Sequence, residues 1–230
     1  EFTMLEAYQA WGDQATIADL TRRIVVNAAD AALGTRVIDT PSGQIDLGGD
    51  WEWKPVYPTL SESVGEEITP ATEASVLRGI AAARGVEHDP AWPAQKLVME
   101  LFGELVEPGL LQPTFVCDYP PIAQPLARQH RSNPDVIEAW DLIIGGVERA
   151  TGFSELIDPV IQRERLVAQS LKAAAGDPEA MQLDEDFLAA LEFGAPPMGG
   201  MGLGLDRLMM LLTGHGIRET ILFPLLKPQG

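Results

Sequence analysis

The chain has 230 residues, of which 46% are hydrophobic, and its 34 acidic and 16 basic side chains give a formal net charge of −18. This composition suits one large globular domain, no run approaches the ~18 apolar residues of a membrane helix, and the negative charge argues against a free-standing nucleic-acid binder. The single cysteine, Cys117, excludes an intrachain disulfide and a cysteine zinc site. We therefore expect a cytoplasmic protein without membrane association.

The first half of the chain predicts a strand, a helix, a hairpin and then an irregular segment. The strand covers residues 2–10, the helix 15–33 before Gly34, and the hairpin arms 36–39 and 44–47 around Pro41-Ser42-Gly43. Residues 48–95 contain five prolines and one predicted helix, 71–84. We interpret this segment as an insertion or subdomain packed on the periphery.

The second half alternates helices with strands joined by hairpin turns. The predicted helices cover 97–105, 159–175 and 184–193, and the predicted strands cover 114–117, 136–144, 147–156 and 220–223. The strands 136–144 and 147–156 flank Gly145-Gly146, which is typical of a hairpin. This order favours an α+β fold with an antiparallel sheet flanked by helices, rather than a doubly wound parallel sheet.

Residues 199–212 place Arg207 between a glycine-rich segment and an apolar helix. Glycines at 199, 200, 202 and 204 let the backbone pass close to a ligand because they lack a Cβ atom. The helix has apolar residues on several faces, so we expect it to be buried and Arg207 to be kept away from solvent. A buried guanidinium needs an anionic partner, which is either a ligand phosphate or carboxylate or a nearby Asp or Glu of the chain itself.

Three groups of acidic and aromatic residues have the spacing of strand faces. They are Glu6 and Tyr8 on the first strand, Asp141 and Glu148 on the two arms beside Gly145-Gly146, and Thr151, Phe153 and Glu155 on the returning arm. If these strands are neighbours, one sheet face carries several carboxylates, whose repulsion predicts a cationic ligand, a metal, or both. The alternative is that these carboxylates face solvent on an exposed sheet surface.

Four segments follow one another along the chain: EFTMLEAY at 1–8, IGGVE at 144–148, GFSEL at 152–156 and GLGLDR at 202–207, with IRETILFP at 217–224 after them. In this order they resemble the signatures of class II lysyl-tRNA synthetase catalytic domains of the bacterial type. The resemblance extends over nearly the whole chain. It implies the antiparallel sheet of that fold and an ATP-dependent reaction that makes lysyl-adenylate and then transfers lysine to tRNA(Lys).

The resemblance also implies a role for each residue. Lysine would be bound by Glu6, Tyr8, Thr151, Phe153 and Glu155, ATP by Phe2, Gly204 and Arg207, and Mg²⁺ by Asp141 and Glu148, with Arg207 and Glu148 as the catalytic residues. Carboxylate oxygens are hard ligands of the kind that magnesium prefers. Catalysis would depend on positioning the substrates and neutralising the phosphate charge, without a protein nucleophile. Thr151 stands where the bacterial enzymes have Asn, and Asp141 where they often have Glu.

The family pattern further predicts that residues 1–230 are the C-terminal part of a catalytic domain. In that pattern this chain lacks four parts of the complete enzyme. They are the preceding strand of the second class II motif, its phosphate-gripping arginine, the first motif and the anticodon-binding OB-fold. We therefore expect a homodimer in the complete enzyme and weak or no activity of the chain alone. Two alternatives are a paralogue that transfers lysine to a non-tRNA acceptor and a non-catalytic binding module derived from a synthetase.

Overall fold

The computed structural model describes residues 2–174, 176 and 180–224. The strands in this part of the chain are β1 (Met4–Ala10), β2 (Val37–Thr40), β3 (Gly43–Asp46), β4 (Glu52–Pro55), β5 (Thr114–Cys117), β6 (Ala139–Ile143), β7 (Glu148–Ser154) and β8 (Met198–Gly204). The α-helices are α1 (Gln14–Leu33), α2 (Val56–Val64), α3 (Ala74–Arg84), α4 (Ala94–Leu105), α5 (Pro159–Ala174), α6 (Glu185–Phe193), α7 (Leu205–Thr213) and α8 (Ile217–Thr220).

Six strands form the central sheet in the order β1-β8-β7-β6-β5-β4, and β2 pairs with β3 in a separate hairpin. Neighbouring strands of the central sheet are antiparallel except β4 and β5, which are parallel. The predicted α+β fold with a sheet flanked by helices is confirmed, with this one parallel pair added. Since β8 comes last in the sequence but lies between β1 and β7, it joins the first strand to the central hairpin.

Helices cover both faces of the sheet around two hydrophobic cores. One core joins α1, the β2–β3 hairpin and α7 to one face, and it includes the buried Trp140 and Leu142. The other core joins α2, α3 and α4 to the opposite face over Val116 and Ile143. None of the helices in the described residues is both long and apolar enough to cross a bilayer.

The predicted helix 15–33 shows why the local signals in this chain are informative. The Asp13 side chain accepts hydrogen bonds from the Ala15 and Thr16 N–H groups and begins α1, and Gly34 ends it with a left-handed backbone at φ 67°. Helix α1 then buries an apolar stripe that includes Ile17 and Val25 against the sheet. Both ends of this helix could be predicted because its capping residues are local in sequence.

The predicted strand 220–223 is wrong. The Glu219 carboxylate accepts from the Gly216 N–H at 2.8 Å, which stabilises a helical turn, α8, that ends at Thr220. Leu222 and Phe223 are 89% and 92% exposed and have no strand neighbour within the described residues. Apolar side chains alone favoured a strand there, but within the described residues this segment joins no sheet.

Two other segments differ in detail from the expectations. The glycine-rich segment before Arg207 is a full strand, β8, with a neighbour on each side. In segment 48–95, β4 extends the central sheet while α2 and α3 pack into the same core as α4. The last residue of the predicted helix 159–175 lies outside the described residues.

Candidate functional site

The first row of site residues crosses the sheet where four strands are in register. Glu6 on β1 pairs with Gly202 on β8, Gly202 pairs with Thr151 on β7, and Thr151 pairs with Asp141 on β6. Directly paired residues of antiparallel strands point their side chains to the same face. Glu6, Thr151 and Asp141 therefore share one face, and Gly202 contributes no side chain between Glu6 and Thr151.

A second row lies beside the first, two residues along each strand. Tyr8 on β1 pairs with Gly200 on β8, and Gly200 pairs with Phe153 on β7. Glu155 follows the end of β7, where its N–H donates to the Met198 carbonyl oxygen at 2.9 Å. The structure thus gathers all five residues predicted to bind lysine around the glycines of β8.

Gly200 is the point at which this face cannot carry a side chain. An ideal Cβ atom there would lie 2.0 Å from Glu155 Oε1 and 2.9 Å from the Tyr8 ring. The glycine therefore leaves room for the Glu155 carboxyl and the Tyr8 ring to face each other across β8. From the sequence, we interpret the glycines as letting the backbone approach a ligand closely. In the structure, Gly200 instead leaves space for the side chains of Glu155 and Tyr8.

The Glu155 carboxyl group is mostly buried, and one of its oxygens lacks a partner among the described residues. Within the described chain its Oε1 accepts no hydrogen bond, and burial raises its pKa to about 7. The buried Thr151 hydroxyl lies near the Asp141 carboxyl and also has no hydrogen bond of standard geometry within the described chain. Tyr8 donates its hydroxyl to Glu6 Oε2 at 3.5 Å, and burial followed by the charges of Glu6 and Glu155 raises the Tyr8 pKa. This arrangement favours a cationic ligand that also donates hydrogen bonds.

A cavity of about 360 Å³ adjoins the two rows at the start of β1. Its lining includes Phe2, Glu148, Thr151, Gly204 and Arg207. All three residues predicted to bind ATP therefore line one cavity, and Thr151 belongs to both this cavity and the first row. The Phe2 ring is 72% exposed, so its face is available to a planar ligand.

Arg207 is not kept away from solvent as the apolar helix predicted. Its side chain is 46% exposed, because α7 buries only Leu208 and Leu211 against the sheet. The guanidinium Nη1 donates to Glu148 Oε1 at 2.9 Å and to the Glu148 carbonyl oxygen at 3.0 Å. A carboxylate of the chain itself is thus one partner of Arg207, and the exposed part of the guanidinium still faces the cavity.

Acidic groups accumulate where Asp141 and Glu148 lie on the β6–β7 hairpin. Burial and the Glu148 charge raise the Asp141 pKa to about 7, and they also raise the pKa of Glu107 in the 3₁₀ turn Glu107–Gly109. Tyr119 is 1% exposed, and its hydroxyl lies near the Asp141 carboxyl without a hydrogen bond of standard geometry within the described chain. Sequence reasoning missed Glu107 and Tyr119, since no spacing rule links them to the hairpin.

The carboxylates fit a magnesium ion that is shared with a ligand. No three His, Cys, Asp or Glu side chains converge as a complete metal site in the part of the chain that the structure describes. Magnesium commonly takes only one or two carboxylates and completes its shell with water and phosphate oxygens. The mutual repulsion of Asp141 and Glu148, together with the Tyr119 hydroxyl beside Asp141, is consistent with a cation there.

Comparison with known proteins gives consistent similarities. The family described as tRNA synthetases class II (D, K and N) matches residues 1–227. A lysine–tRNA ligase of Kineococcus radiotolerans is 54% identical over 231 residues, covering 100% of this chain and 46% of that protein. One of Mycobacterium tuberculosis is 52% identical, covering 99% and 46%. The lysylphosphatidylglycerol biosynthesis bifunctional protein LysX of Mycobacterium avium is 49% identical, covering 99% of this chain and 20% of that protein. The chain spans about half the length of these two ligases.

Proposed function

Because the chain belongs to the class II tRNA synthetases (D, K and N), we propose that it is the C-terminal catalytic portion of a lysine–tRNA ligase. In this proposal the complete enzyme uses ATP to form lysyl-adenylate and passes the lysyl group to tRNA(Lys). The observation that supports this proposal most strongly is the Glu155 Oε1 atom, which has no partner within the described residues, on the sheet face whose residue Thr151 lines the cavity that contains Arg207. A cation-binding group near an anion-binding cavity suits an amino acid with a basic side chain and a nucleotide.

The lysine end of the proposed site rests on charge and shape. Glu155, with Glu6 and Tyr8 beside it, receives the side-chain ammonium, a compact cation whose desolvation only ionised or polar partners can offset. Phe153 covers the aliphatic stem from the neighbouring register position. Thr151 offers a hydroxyl oxygen at the junction between the lysine residues and the cavity.

The nucleotide end rests on the cavity. Phe2 stacks on adenine and Arg207 contacts the phosphates. Gly204, which has no side chain, leaves space for the nucleotide in the cavity. Asp141 and Glu148 would hold Mg²⁺, which when bound neutralises phosphate charge and orients the phosphate oxygens. In this proposal the lysine carboxylate attacks the α-phosphate and displaces pyrophosphate, while Arg207 neutralises phosphate charge and Glu148 would act by holding Mg²⁺. No side chain becomes covalently attached.

The acceptor of the lysyl group has two candidates. The resemblance to LysX supports an alternative in which the activated lysine reaches a lipid acceptor, whereas the lysine–tRNA ligase relatives support tRNA(Lys). The test is to incubate the full-length gene product with ATP, labelled lysine and tRNA(Lys). We expect charged tRNA, and adenylate formation without charged tRNA would contradict tRNA(Lys) as the acceptor. Failure to form adenylate would favour a non-catalytic module.

Assembly and location are also proposed from family membership. We expect the complete enzyme to be a homodimer in the cytoplasm, as is typical of translation enzymes of this family. We expect the present chain alone to be weakly active or inactive. Sedimentation of the full-length gene product, with the chain alone in parallel, measures the oligomeric state of both.

Replacing Gly200 by alanine should damage the lysine end selectively. The new Cβ atom would meet Glu155 Oε1 at 2.0 Å, so the carboxyl group or the Tyr8 ring must move. A displacement of about 1 Å in a positioned site can cost roughly 10²-fold in activity, and we expect a loss of that order in kcat/KM for lysine. The KM for ATP should change little.

Gly79→Ala on α3 is the matched control, since its Cβ atom would meet nothing within 4 Å. This control should keep full activity and stability. If Gly200→Ala keeps its affinity for lysine, the proposed place of the lysine side chain is wrong.

Lysine affinity should depend on pH with a midpoint near 7. The buried Glu155 carboxyl has a pKa raised to about 7, so in the ligand-free protein it is protonated below that pH and charged above it. The lysine ammonium needs the charged form, so affinity should fall about tenfold for each pH unit below 7 and stay level just above it. Calorimetry at pH 6 in two buffers of different ionisation enthalpy should show proton release on binding, and pH-independent affinity between 5.5 and 8 would contradict this assignment.

A further inference from the structure

Arg149 occupies an unusual place next to Glu148. The register of the β6–β7 hairpin pairs Ile143 with Glu148 and Leu142 with Ala150, so Arg149 faces no residue on β6. It is the extra residue of a β-bulge. Bulges beside functional sites turn a side chain away from the regular alternation of the strand, and here Arg149 belongs to the lining of the cavity that also contains Arg207.

The Arg149 side chain is buried without an acidic partner. The residue is 7% exposed, and no ion pair among the described residues includes it. Its Nε donates to the Ile144 carbonyl oxygen at 3.2 Å, and its Nη1 donates to the Arg207 carbonyl oxygen at 2.8 Å. Burial and the nearby Arg207 charge lower its pKa to about 10. An unpaired buried charge is costly, and apolar side chains would pack there at lower cost.

The two hydrogen bonds connect separate parts of the site. The Ile144 carbonyl belongs to the hairpin turn before Glu148, and the Arg207 carbonyl lies in the first turn of α7. Arg149 therefore fixes the start of α7 against the hairpin. The same junction is bridged on the cavity side by the ion pair of Arg207 and Glu148.

We propose that Arg149 is a positioning residue of the nucleotide site: it holds Arg207 toward the phosphates, and its unpaired charge beside Arg207 increases the attraction for a polyphosphate chain. This inference rests on the proposed function, since it deepens the role of the cavity as the site of a nucleoside triphosphate. The relevant part of the ligand is the polyphosphate, because Arg149 and Arg207 both line the cavity. Of the residues proposed to bind lysine, only Thr151 belongs to its lining.

The test uses Arg149→Met in the full-length gene product, with inorganic tripolyphosphate, ATP and lysine titrated separately by calorimetry. We expect tripolyphosphate and ATP to bind about tenfold more weakly, the range for losing charge-assisted hydrogen bonds, and lysine to bind unchanged. Arg149→Lys, which keeps the charge, should recover part of the loss. Arg165→Met is the matched control, since Arg165 also donates to carbonyl oxygens, those of Pro125 and Ala127, but on α5.

A folded Arg149→Met protein whose polyphosphate and ATP affinities equal those of the parent would overturn the inference. An equal loss in Arg165→Met would overturn it too, because the effect would then belong to any arginine that donates to backbone carbonyl oxygens. If Arg149→Met fails to fold, Arg149→Lys is titrated in its place. Polyphosphate and ATP affinities equal to those of the parent in that variant would overturn the inference. A parent protein that binds polyphosphate in an Arg149-dependent way but does not activate lysine would support this inference while refuting the proposed function.

Discussion

Glu155→Gln should lower the affinity for lysine by two to three orders of magnitude while leaving ATP affinity almost unchanged. Breaking a buried charge pair by neutralising one partner costs roughly 3–5 kcal/mol, and each 1.4 kcal/mol is about tenfold in affinity. Glutamine keeps the size of the side chain beside Gly200, so the loss reports charge rather than packing. The ligand-free variant should be no less stable than the parent, since burial already raises the pKa of this carboxyl to about 7.

The measurement is calorimetric titration of lysine and ATP separately into the full-length gene product. The ion pair of Arg163 and Glu185 between α5 and α6 supplies the control. Glu185→Gln removes the same charge outside the site and should leave both affinities unchanged. Equal losses of lysine and ATP affinity in Glu155→Gln would contradict the assignment of Glu155 to the lysine ammonium.

Arg207→Ala should reduce the rate of lysine activation by about 10²–10³-fold, which is typical of removing one preorganised donor to a developing anion. Lysine binding should be largely kept, because the guanidinium contacts Glu148 and the cavity rather than the Glu155 side of the site. The variant also frees the Glu148 carboxylate from its ion pair. We therefore expect a changed dependence of the rate on Mg²⁺ concentration.

Pyrophosphate exchange as a function of Mg²⁺ concentration tests this prediction, with lysine affinity measured in parallel. Arg163→Ala, which removes an exposed and ion-paired arginine of α5, is the matched control and should keep the parental rate. Normal activation by Arg207→Ala would refute the phosphate role of Arg207. A loss confined to lysine affinity would instead place the lysine side chain near α7.

The parts of the fold that were predictable are those with local signals. The start and end of α1 follow from Asp13 and Gly34, and the β6–β7 hairpin from Gly145-Gly146. The position of β8 between β1 and β7 was not predictable, since it depends on pairing between residues almost 200 positions apart. The strand predicted at 220–223 failed because the prediction used apolar side chains alone, whereas the Glu219 carboxylate stabilises the helical turn α8, which ends at Thr220.

In the candidate site, too, local signals were predictive and long-range or irregular features were not. Alternation along single strands correctly grouped Glu6 with Tyr8 and Thr151 with Phe153, since a strand turns alternate residues to one face. The exposure of Arg207 was mispredicted because α7, although apolar on several faces, buries only Leu208 and Leu211 and leaves Arg207 partly exposed. Arg149 went unnoticed because a bulge interrupts the alternation on which the reasoning depended.

Lysine-dependent exchange of pyrophosphate into ATP tests the central claim most directly. It should be measured on the full-length gene product and on the present chain, with aspartate and asparagine as competing amino acids. We expect rapid exchange that requires lysine in the full-length product, and weak or no exchange in the chain alone. Exchange by neither protein, or exchange driven by aspartate or asparagine, would contradict a lysine-activating site built around Glu155 and Arg207.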